Sequence, residues 1–153
     1  MKKIWASLNW KKILWGVVII AVIIGVIFGI KYFVKGDDTV SFEVISEEAI
    51  PGKIQEILPR YKNLERTLAC KVDDEVFVIA TRGEKATGGY TVKIDKIEKM
   101  KQDDKTGLVV YSTFKDPKQG DVVKQVITYP YVVVKTNLKK LPDTIELKVK
   151  YND

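Results

Sequence analysis

The sequence of 153 residues contains no histidine and a single cysteine, Cys70. Without histidine, the chain has no Ser-His-Asp triad, no Cys–His pair and no metal site built on imidazole ligands. One cysteine cannot form a disulfide within the chain. No serine stands in a Gly-x-Ser-x-Gly motif, and no glycine-rich phosphate loop with its lysine is present. We therefore expect no catalytic residue, no cofactor and no metal, and we predict that the protein is not an enzyme.

Acidic side chains are missing from the first 36 residues, whereas six of the 26 lysines and arginines lie there. Residues 37–153 then carry 20 basic and 20 acidic side chains, so this part is formally neutral and the net charge of +6 belongs to the N-terminal part. A nucleic-acid-binding protein keeps its basic excess on the folded domain. We therefore expect no nucleic-acid partner.

No charged residue interrupts residues 13–30, which read ILWGVVIIAVIIGVIFGI. Eighteen residues at about 1.5 Å each reach roughly 27 Å, close to the bilayer core of about 30 Å. Aromatic residues stand at both ends of the run, as in the interfacial belts of spanning helices. The run exceeds the apolar region of about 7–15 residues in a cleaved signal peptide, and no A-x-A-like site follows it. We predict a transmembrane helix over residues 13–34 that anchors the chain in the lipid bilayer.

Lysines are distributed unequally around this apolar run, with four before it and two after it. Cytoplasmic flanks of spanning helices carry the excess of lysine and arginine. The distribution predicts a cytoplasmic basic tail at residues 1–12 and an extracytoplasmic domain at residues 37–153. The protein is then expected in a cell membrane, as a single-pass protein with a cytoplasmic N-terminus.

Small residues recur at four-residue spacing within the predicted helix, at Ala21, Gly25 and Gly29. A stripe of small residues lets two membrane helices approach closely, as in the Gly-x-x-x-Gly pattern. The stripe predicts a homodimer through this helix, or packing against the helix of a partner. The alternative is that it reflects only the high frequency of glycine in spanning helices.

Short β-branched and apolar runs, separated by polar turns, fill most of the remaining chain. We predict strands at residues 40–45, 75–82, 91–97, 108–114, 122–129, 131–136 and 144–151. Ile97 is out of phase with Val92 and Ile94, which predicts a β-bulge nearby. The final run alternates apolar and charged residues, which is typical of a half-buried strand in an antiparallel sheet.

One helical segment precedes most of these strands. Apolar residues recur at three- and four-residue steps over residues 51–69, and Pro59 is expected to kink or split that helix. Strands at this spacing without alternating helices predict a mainly β domain. The expected architecture is a small antiparallel β-sandwich or open barrel with one short helical segment, preceded by the transmembrane helix.

The connection GEKATGGY, residues 83–90, joins two predicted strands and has two interpretations. In the first, it is a turn in which glycines supply positive φ and Tyr90 begins the next strand. In the second, it is an exposed loop that offers Thr87 and bare backbone to a partner. We select Gly83, Glu84, Thr87, Gly88, Gly89 and Tyr90 as candidate partner-binding residues.

A second polar connection, DPKQGD at residues 116–121, contains Pro117 and Gly120. Connections of a sandwich can gather at one end, and binding residues often lie on loops held by a rigid scaffold. Pro117 and Gly120 are therefore added to the candidate binding residues. The paired carboxylates Asp73-Asp74 and 103–104 are interpreted instead as solvated turn residues.

Three segments of this region, read in order, resemble a known family: VFVIATRGEKATGGYTVKIDKIEK, LVVYSTFKDPKQGD and VKQVITYPYVVVK. Together they are similar to the C-terminal domain of the PrcB family, over about residues 74–136. The most specific parts of the likeness are Gly83-Glu84, Thr87-Gly88-Gly89-Tyr90, Pro117 with Gly120, and 125–130. That family is named after a subunit of a bacterial surface protease complex. The resemblance implies a non-catalytic, extracytoplasmic protein partner of a protease, which aids its assembly or stability.

Two alternatives remain open for the function of the domain. Thr87-Gly88-Gly89-Tyr90 also resembles the threonine–glycine loop of chagasin-type inhibitors of cysteine proteases, which implies inhibition through the loop at residues 83–90. The further loops of that family are not evident, and no tryptophan follows residue 15. A cell-envelope ligand-binding domain is the other alternative, with Tyr111, Tyr129 and Tyr131 as candidate aromatic contacts.

Overall fold

The computed structural model describes residues 38–152 except 103, together with Gly16 and Ile20, which are both helical. The predicted basic tail, the rest of the predicted transmembrane helix, and the helix-packing residues Ala21, Gly25 and Gly29 lie outside the described residues. The chain divides into two units, Met1–Asp37 and Asp38–Asp153. Within the part that the structure describes, no helix has both the length and the apolar character needed to cross a membrane.

The second unit contains seven described strands and one α-helix. The strands are β1 (Phe42–Val44), β2 (Glu65–Val72), β3 (Glu75–Arg82), β4 (Thr91–Gln102), β5 (Lys105–Lys115), β6 (Tyr131–Thr136) and β7 (Thr144–Asn152). The helix is α1 (Gly52–Tyr61), and a 3-10 turn at Glu47–Ala49 precedes it. One sheet has the order β1-β6-β3-β2 and the other has the order β4-β5-β7.

The two sheets share a core. Val78 and Val134 from the first sheet pack with Ile94, Ile97 and Val110 from the second, and all five are buried. Neither sheet closes into a barrel within residues 38–152. The prediction of a mainly β fold with one short helix is therefore confirmed. Of the two predicted architectures, the structure has two packed sheets and not an open barrel.

The helix covers the opposite face of the first sheet. Ile54 and Leu58 of α1 lie in a second core with Phe77, Ile79 and Val133. Successive residues of β3 therefore point into different cores, because side chains alternate between the faces of a strand. This explains why β3 reads as a continuous apolar run, although its neighbours in the sheet are antiparallel.

The predicted helix over residues 51–69 is too long, because α1 ends at Tyr61 and residues 65–72 form β2. Pro59 lies in the last turn of α1 and does not split it. Asp73 and Asp74, with φ values of 49° and 65°, connect β2 to β3 as a two-residue turn. Two residues with positive φ suit the turn of a tight hairpin. The pairing of residues 65–72 with β3 therefore outweighs the helical periodicity of their sequence. The prediction that this acidic pair lies in a turn is confirmed.

The second sheet contains one parallel pair, so the prediction of a wholly antiparallel fold is wrong. β5 pairs with β7 in parallel, from Gly107 opposite Thr144 to Lys115 opposite Asn152. β6 lies between them in the chain but belongs to the other sheet. The chain therefore returns to the end at which β5 began before β7 starts. The alternation of apolar and polar residues in β7 does not show whether the strand runs parallel or antiparallel to its neighbour.

Two further predictions had different outcomes. The register of β4 against β5 shifts between Ile94 and Lys96, which confirms the bulge predicted from the phase of Ile97. Residues 122–129, by contrast, do not form a strand. Their described pairing is the isolated bridge between Lys85 and Thr128. Pro130 follows directly and has no N–H to continue a ladder.

The strands place two sets of connections at opposite ends of the unit. At one end, which we call the loop end, β3 and β5 finish and β4 and β6 begin. The chain joins the unit at the other end. There, Lys99 N–H donates to the Asp38 carbonyl at 2.6 Å, and Val40 N–H donates to the Ile97 carbonyl at 2.8 Å.

Candidate functional site

Two connections meet at the loop end. The glycine loop, residues 83–90, joins β3 to β4, and the long connection, residues 116–130, joins β5 to β6. We call them together the loop surface. All eight residues selected from the sequence as partner-binding candidates lie on this surface. Six of them lie on the glycine loop, and the structure brings Gly89 of this loop against Pro117 of the long connection.

Gly83 and Glu84 fix the beginning of the glycine loop. Gly83 is buried with φ of 77°, and a Cβ there would lie 3.2 Å from the Asn63 carbonyl oxygen and 3.3 Å from the Glu65 nitrogen. Only glycine adopts this conformation without strain at such a close approach. The Glu84 carboxylate accepts a hydrogen bond from the Tyr129 hydroxyl at 2.9 Å, which connects the loop to the long connection.

Gly88 and Gly89 form the closest contact between the two connections. Gly88 N–H donates to the Lys124 carbonyl at 2.8 Å. Gly89 has φ of 91°, and a Cβ there would lie 2.8 Å from Val123 Cγ1 and 2.9 Å from Pro117 Cβ. Gly89 therefore has the positive φ of the turn interpretation and packs against Pro117, whereas Gly88 contributes its N–H and would have room for a Cβ, 3.6 Å from Lys124 Cβ.

Thr87 is held by its backbone and not by its side chain. Thr128 Oγ1 donates to the Thr87 carbonyl at 2.7 Å, and Lys85 and Thr128 exchange two backbone hydrogen bonds of 2.9 Å. The Thr87 hydroxyl donates only weakly, to the adjacent Gly88 carbonyl at 3.3 Å. The backbone of Thr87 is therefore held in place by hydrogen bonds, and its side chain is half-buried. Replacing that side chain would remove only its one weak hydrogen bond.

Arg82 supports the surface from below, and the sequence analysis did not select it. Its side chain is only 2% exposed and forms an ion pair with Asp116. Its guanidinium also donates to the Lys115 carbonyl at 2.6 Å and lies 4.9 Å from the Tyr90 ring centroid. Within the described residues, its Nε has no hydrogen-bond partner. A basic residue at the end of the apolar run VFVIAT was the signal that could have identified it.

The charge on Arg82 is subject to two opposing effects. Burial lowers the pKa of Arg82, because desolvation penalises the charged form, whereas nearby Glu65, Tyr151 and Tyr90 raise it. Arginine starts from such a high pKa that it remains charged at neutral pH. A buried guanidinium with several acceptors thus fixes where β5 ends and where Tyr90 stands.

Gly120 has a separate role from the other selected glycines. It has φ of 93°, but a Cβ there would have no heavy atom within 4 Å. The neighbouring turn is closed by Lys118 and Asp121, since Lys118 N–H donates to the Asp121 carboxylate at 2.8 Å and Asp121 N–H to the Lys118 carbonyl at 3.0 Å. Gly120 therefore shapes an exposed turn and does not contact the glycine loop.

Exposed aliphatic residues follow this turn. Val122 is fully exposed, Val126 is 52% exposed and Ile127 is 55% exposed. They were missed because residues 122–129 were expected to bury one face in a sheet. Because the segment belongs to neither sheet, these side chains extend from the loop surface into solvent.

Two cavities adjoin the loop surface, with volumes of about 310 and 350 Å³, and Tyr131 lines both. The Tyr131 hydroxyl donates to Glu47 at 3.1 Å, and burial followed by this bond raises the pKa of Tyr131. Tyr129 lines the larger cavity, and its hydrogen bond to Glu84 raises its pKa. The ammonium group of Lys62 lies 4.5 Å from the Tyr129 ring centroid.

Metal-binding geometry was also sought. Among the residues that the structure describes, no three histidine, cysteine or acidic side chains come together as a group that could hold a metal ion. Asp73 and Asp74 lie in the β2–β3 turn, where Lys53 and Lys71 pair with them. The loop end instead presents an exposed surface whose two connections are hydrogen-bonded to each other.

Comparison with known proteins finds a family likeness over part of the chain. Residues 76–137 match the family described as PrcB C-terminal. The matched stretch begins in β3, ends just after β6, and contains both connections of the loop surface. The resemblance expected from the sequence motifs is therefore confirmed. No curated protein and no solved structure matches the chain.

Proposed function

We propose, from the match of residues 76–137 to the PrcB C-terminal family, that the protein is a non-catalytic accessory subunit of a protease complex. Its loop surface binds a protein component of the complex and thereby aids assembly or stability. The domain acts outside the cytoplasm, at the cell membrane. The family name supports the association with a protease, while the identity of the bound component is left to experiment.

The loop surface is the observation that carries the proposal. Its backbone is fixed by hydrogen bonds between Lys85 and Thr128 and between Gly88 and Lys124. Aliphatic side chains at Val126 and Ile127 nevertheless remain more than half exposed. Exposed apolar groups on an ordered scaffold are typical of protein-binding surfaces, and ordering the loops beforehand lowers the entropy cost of binding.

The membrane anchor in this proposal rests on the sequence alone. The uncharged run at residues 13–30 has the length of a spanning helix, and the lysine excess before it favours a cytoplasmic N-terminus. Ala21, Gly25 and Gly29 are proposed to pack this helix against a second copy or a partner helix. The anchor would hold the accessory subunit beside a protease at the membrane surface.

Co-purification tests the proposal directly. The full chain is extracted in mild detergent from its own membranes, and the proteins that accompany it are identified by mass spectrometry. Thr87→Glu and Val126→Glu alter the loop surface, whereas Leu141→Glu alters an aliphatic residue of similar exposure, 47%, at the other end of the sheets. All variants should melt at the wild-type temperature, since each replaced side chain is partly or largely in solvent.

A protease or its maturation factor should accompany the wild-type and Leu141→Glu chains and be absent from the other two. Equal recovery with all four chains would refute the loop surface as the binding site. An empty wild-type sample would refute a stable complex. Slowing of a papain-like protease by the purified full chain would instead favour the inhibitor alternative.

A second candidate function is binding of a cell-envelope ligand at the two tyrosine-lined cavities. Tyr131 contributes to both, and hydrogen-bonding side chains of Glu47, Gln55 and Lys62 line the smaller one. Aromatic rings beside such groups suit a glycan fragment. Chemical shifts of Tyr131 on addition of soluble cell-wall fragments, lost in Gln55→Leu, would support this candidate. Unchanged spectra at saturating fragment would reject it.

A further inference from the structure

We infer that the loop surface receives an acidic segment, rich in aliphatic residues, from its protein partner. The receiving residues are 118–127 of the long connection, together with Lys85 and Lys115 beside them. This inference rests on the proposed function and adds the chemistry of the partner to it. Charge and exposed apolar groups on the same short segment carry the argument.

Positive charge is in excess around the loop surface. Apart from the Arg82–Asp116 ion pair, residues 83–90 and 115–130 contain four lysines and two acidic side chains, a net charge of +2, in a domain that is formally neutral over residues 37–153. Lys115, Lys118 and Lys124 are exposed. None of the ion pairs found among the described residues includes these three lysines.

The acidic groups on the surface already have partners within the domain. Asp116 pairs with the buried guanidinium of Arg82. Asp121 accepts the backbone N–H of Lys118, and Glu84 accepts the Tyr129 hydroxyl. Each carboxylate therefore already accepts a hydrogen bond or forms an ion pair within the domain, whereas Lys115, Lys118 and Lys124 form none of the ion pairs found among the described residues. A complementary partner is therefore acidic.

Aliphatic side chains are interleaved with these lysines. The stretch 118–127 reads KQGDVVKQVI, in which Val122, Val126 and Ile127 are exposed. The methylene groups of a lysine side chain can pack along an apolar surface while its ammonium group stays hydrated. A partner segment that combined glutamate or aspartate with valine, isoleucine or leucine would satisfy both kinds of group. A purely acidic segment would leave the aliphatic side chains in water.

The position of the surface is consistent with a protein partner. It lies at the loop end, whereas the chain joins the unit at Asp38 beside Lys99, at the other end of the sheets. Access to residues 118–127 is therefore not obstructed by the described N-terminal residues of the unit. The segment between Gly120 and Pro130 also belongs to neither sheet, and most of its residues are exposed.

Peptide binding to the purified full chain in neutral detergent tests the inference. The probe is a short fluorescent peptide of alternating glutamate and valine, measured by fluorescence anisotropy. The comparison peptides alternate lysine with valine or consist of glutamate alone. Lys118→Glu combined with Lys124→Glu removes the proposed charge, and Lys105→Glu combined with Lys140→Glu is the matched control, because these exposed lysines lie at the other end of the sheets.

The glutamate–valine peptide should bind best, and its affinity should fall with added salt. The Lys118/Lys124 variant should bind it about tenfold or more weakly, equivalent to at least about 1.4 kcal/mol, while the control variant keeps the wild-type affinity. Equal binding of the all-glutamate peptide would overturn the inference in favour of non-specific charge attraction. Equal binding of the lysine–valine peptide would overturn it in favour of apolar contact alone.

Anionic lipid is the competing occupant of a surface that is both basic and aliphatic. Displacement of the peptide by phosphatidylglycerol added to the micelles, with loss of lipid binding in the Lys118/Lys124 variant, would assign the surface to lipid and overturn the inference. Failure of all peptides to bind would overturn the acidic chemistry. Co-purification of a protease component is a separate measurement, so the proposed function could still stand in that case.

Discussion

Arg82 and Asp116 form an ion pair across the loop end that joins the last residue of β3 to the first residue after β5. Arg82 is almost fully buried, whereas Asp116 is only half-buried. The same guanidinium donates to the Lys115 carbonyl at 2.6 Å. Both connections of the loop surface therefore begin from backbone positions that one arginine fixes. The backbone of the loop surface is therefore held in place by a residue whose own side chain is buried beneath it.

Arg82→Met should lower the free energy of unfolding by about 3 kcal/mol, because charge-assisted hydrogen bonds are lost at a buried position. Urea unfolding of the full chain in detergent measures this change. The control is Lys71→Met, which removes the exposed ion pair with Asp74 and should cost less than about 1 kcal/mol. Equal losses in the two variants would show that burial of the Arg82 pair has no energetic consequence.

Gly89→Ala should destabilise the loop surface more than Gly120→Ala does. Both residues have positive φ, 91° and 93°, so both substitutions strain the backbone by about 1 kcal/mol. Only at Gly89 would the added Cβ also collide, with Pro117 and Val123. Comparison of the two variants by thermal unfolding and by hydrogen exchange at residues 122–128 measures the difference. Identical behaviour would show that Gly89 is required for its φ alone.

Cys70 should react slowly with alkylating reagents. The side chain is half-buried in β2, and burial raises the pKa of its thiol, so less of the reactive thiolate is present at a given pH. Iodoacetamide labelling at mildly alkaline pH should be slower for the folded chain than for the same chain in urea. The full rate should return on unfolding. A folded chain that reacts as fast as the unfolded one would place Cys70 in solvent.

Asp95 should titrate below the usual range for an aspartate. The Thr113 hydroxyl donates to its carboxylate at 2.5 Å, and this bond, followed by Lys93, lowers the pKa of Asp95. Because the folded pKa is the lower one, the stabilisation is present above the unfolded pKa and is lost as pH falls through the folded pKa. Thr113→Val should move the carboxyl titration, followed by NMR, upward. An unchanged midpoint would assign the shift to Lys93 instead.

Local sequence patterns predicted the structure correctly where a single physical requirement determined the backbone conformation. Ile97 was out of phase in its strand, and the register of β4 shifts between Ile94 and Lys96 as that pattern predicted. The acidic pair Asp73-Asp74 forms the turn expected of it. Burial of alternate side chains and the conformational preferences of turns both operate within a few residues of the chain, so the sequence displays them directly.

Local patterns failed where a distant segment decided the conformation. Leu68 continued a helical periodicity, yet it lies in β2 opposite Ile79, because the pairing with β3 outweighs helix propensity. The β-branched run at residues 122–129 has the composition of a strand. It is instead bound to the glycine loop, through Lys124 and Thr128, and belongs to neither sheet. Composition alone does not specify which neighbour a segment will pair with.

The sequence by itself determined the mainly β character of the domain, its one helix and its likeness to a family, because burial and turn chemistry are encoded residue by residue. It also selected Gly83, Gly88, Gly89 and Pro117. Only the tertiary structure decided that Gly89 packs on Pro117, that β7 runs parallel to β5, and that Arg82 lies beneath the loop surface. Those features depend on contacts between residues far apart in the chain, which no local pattern contains.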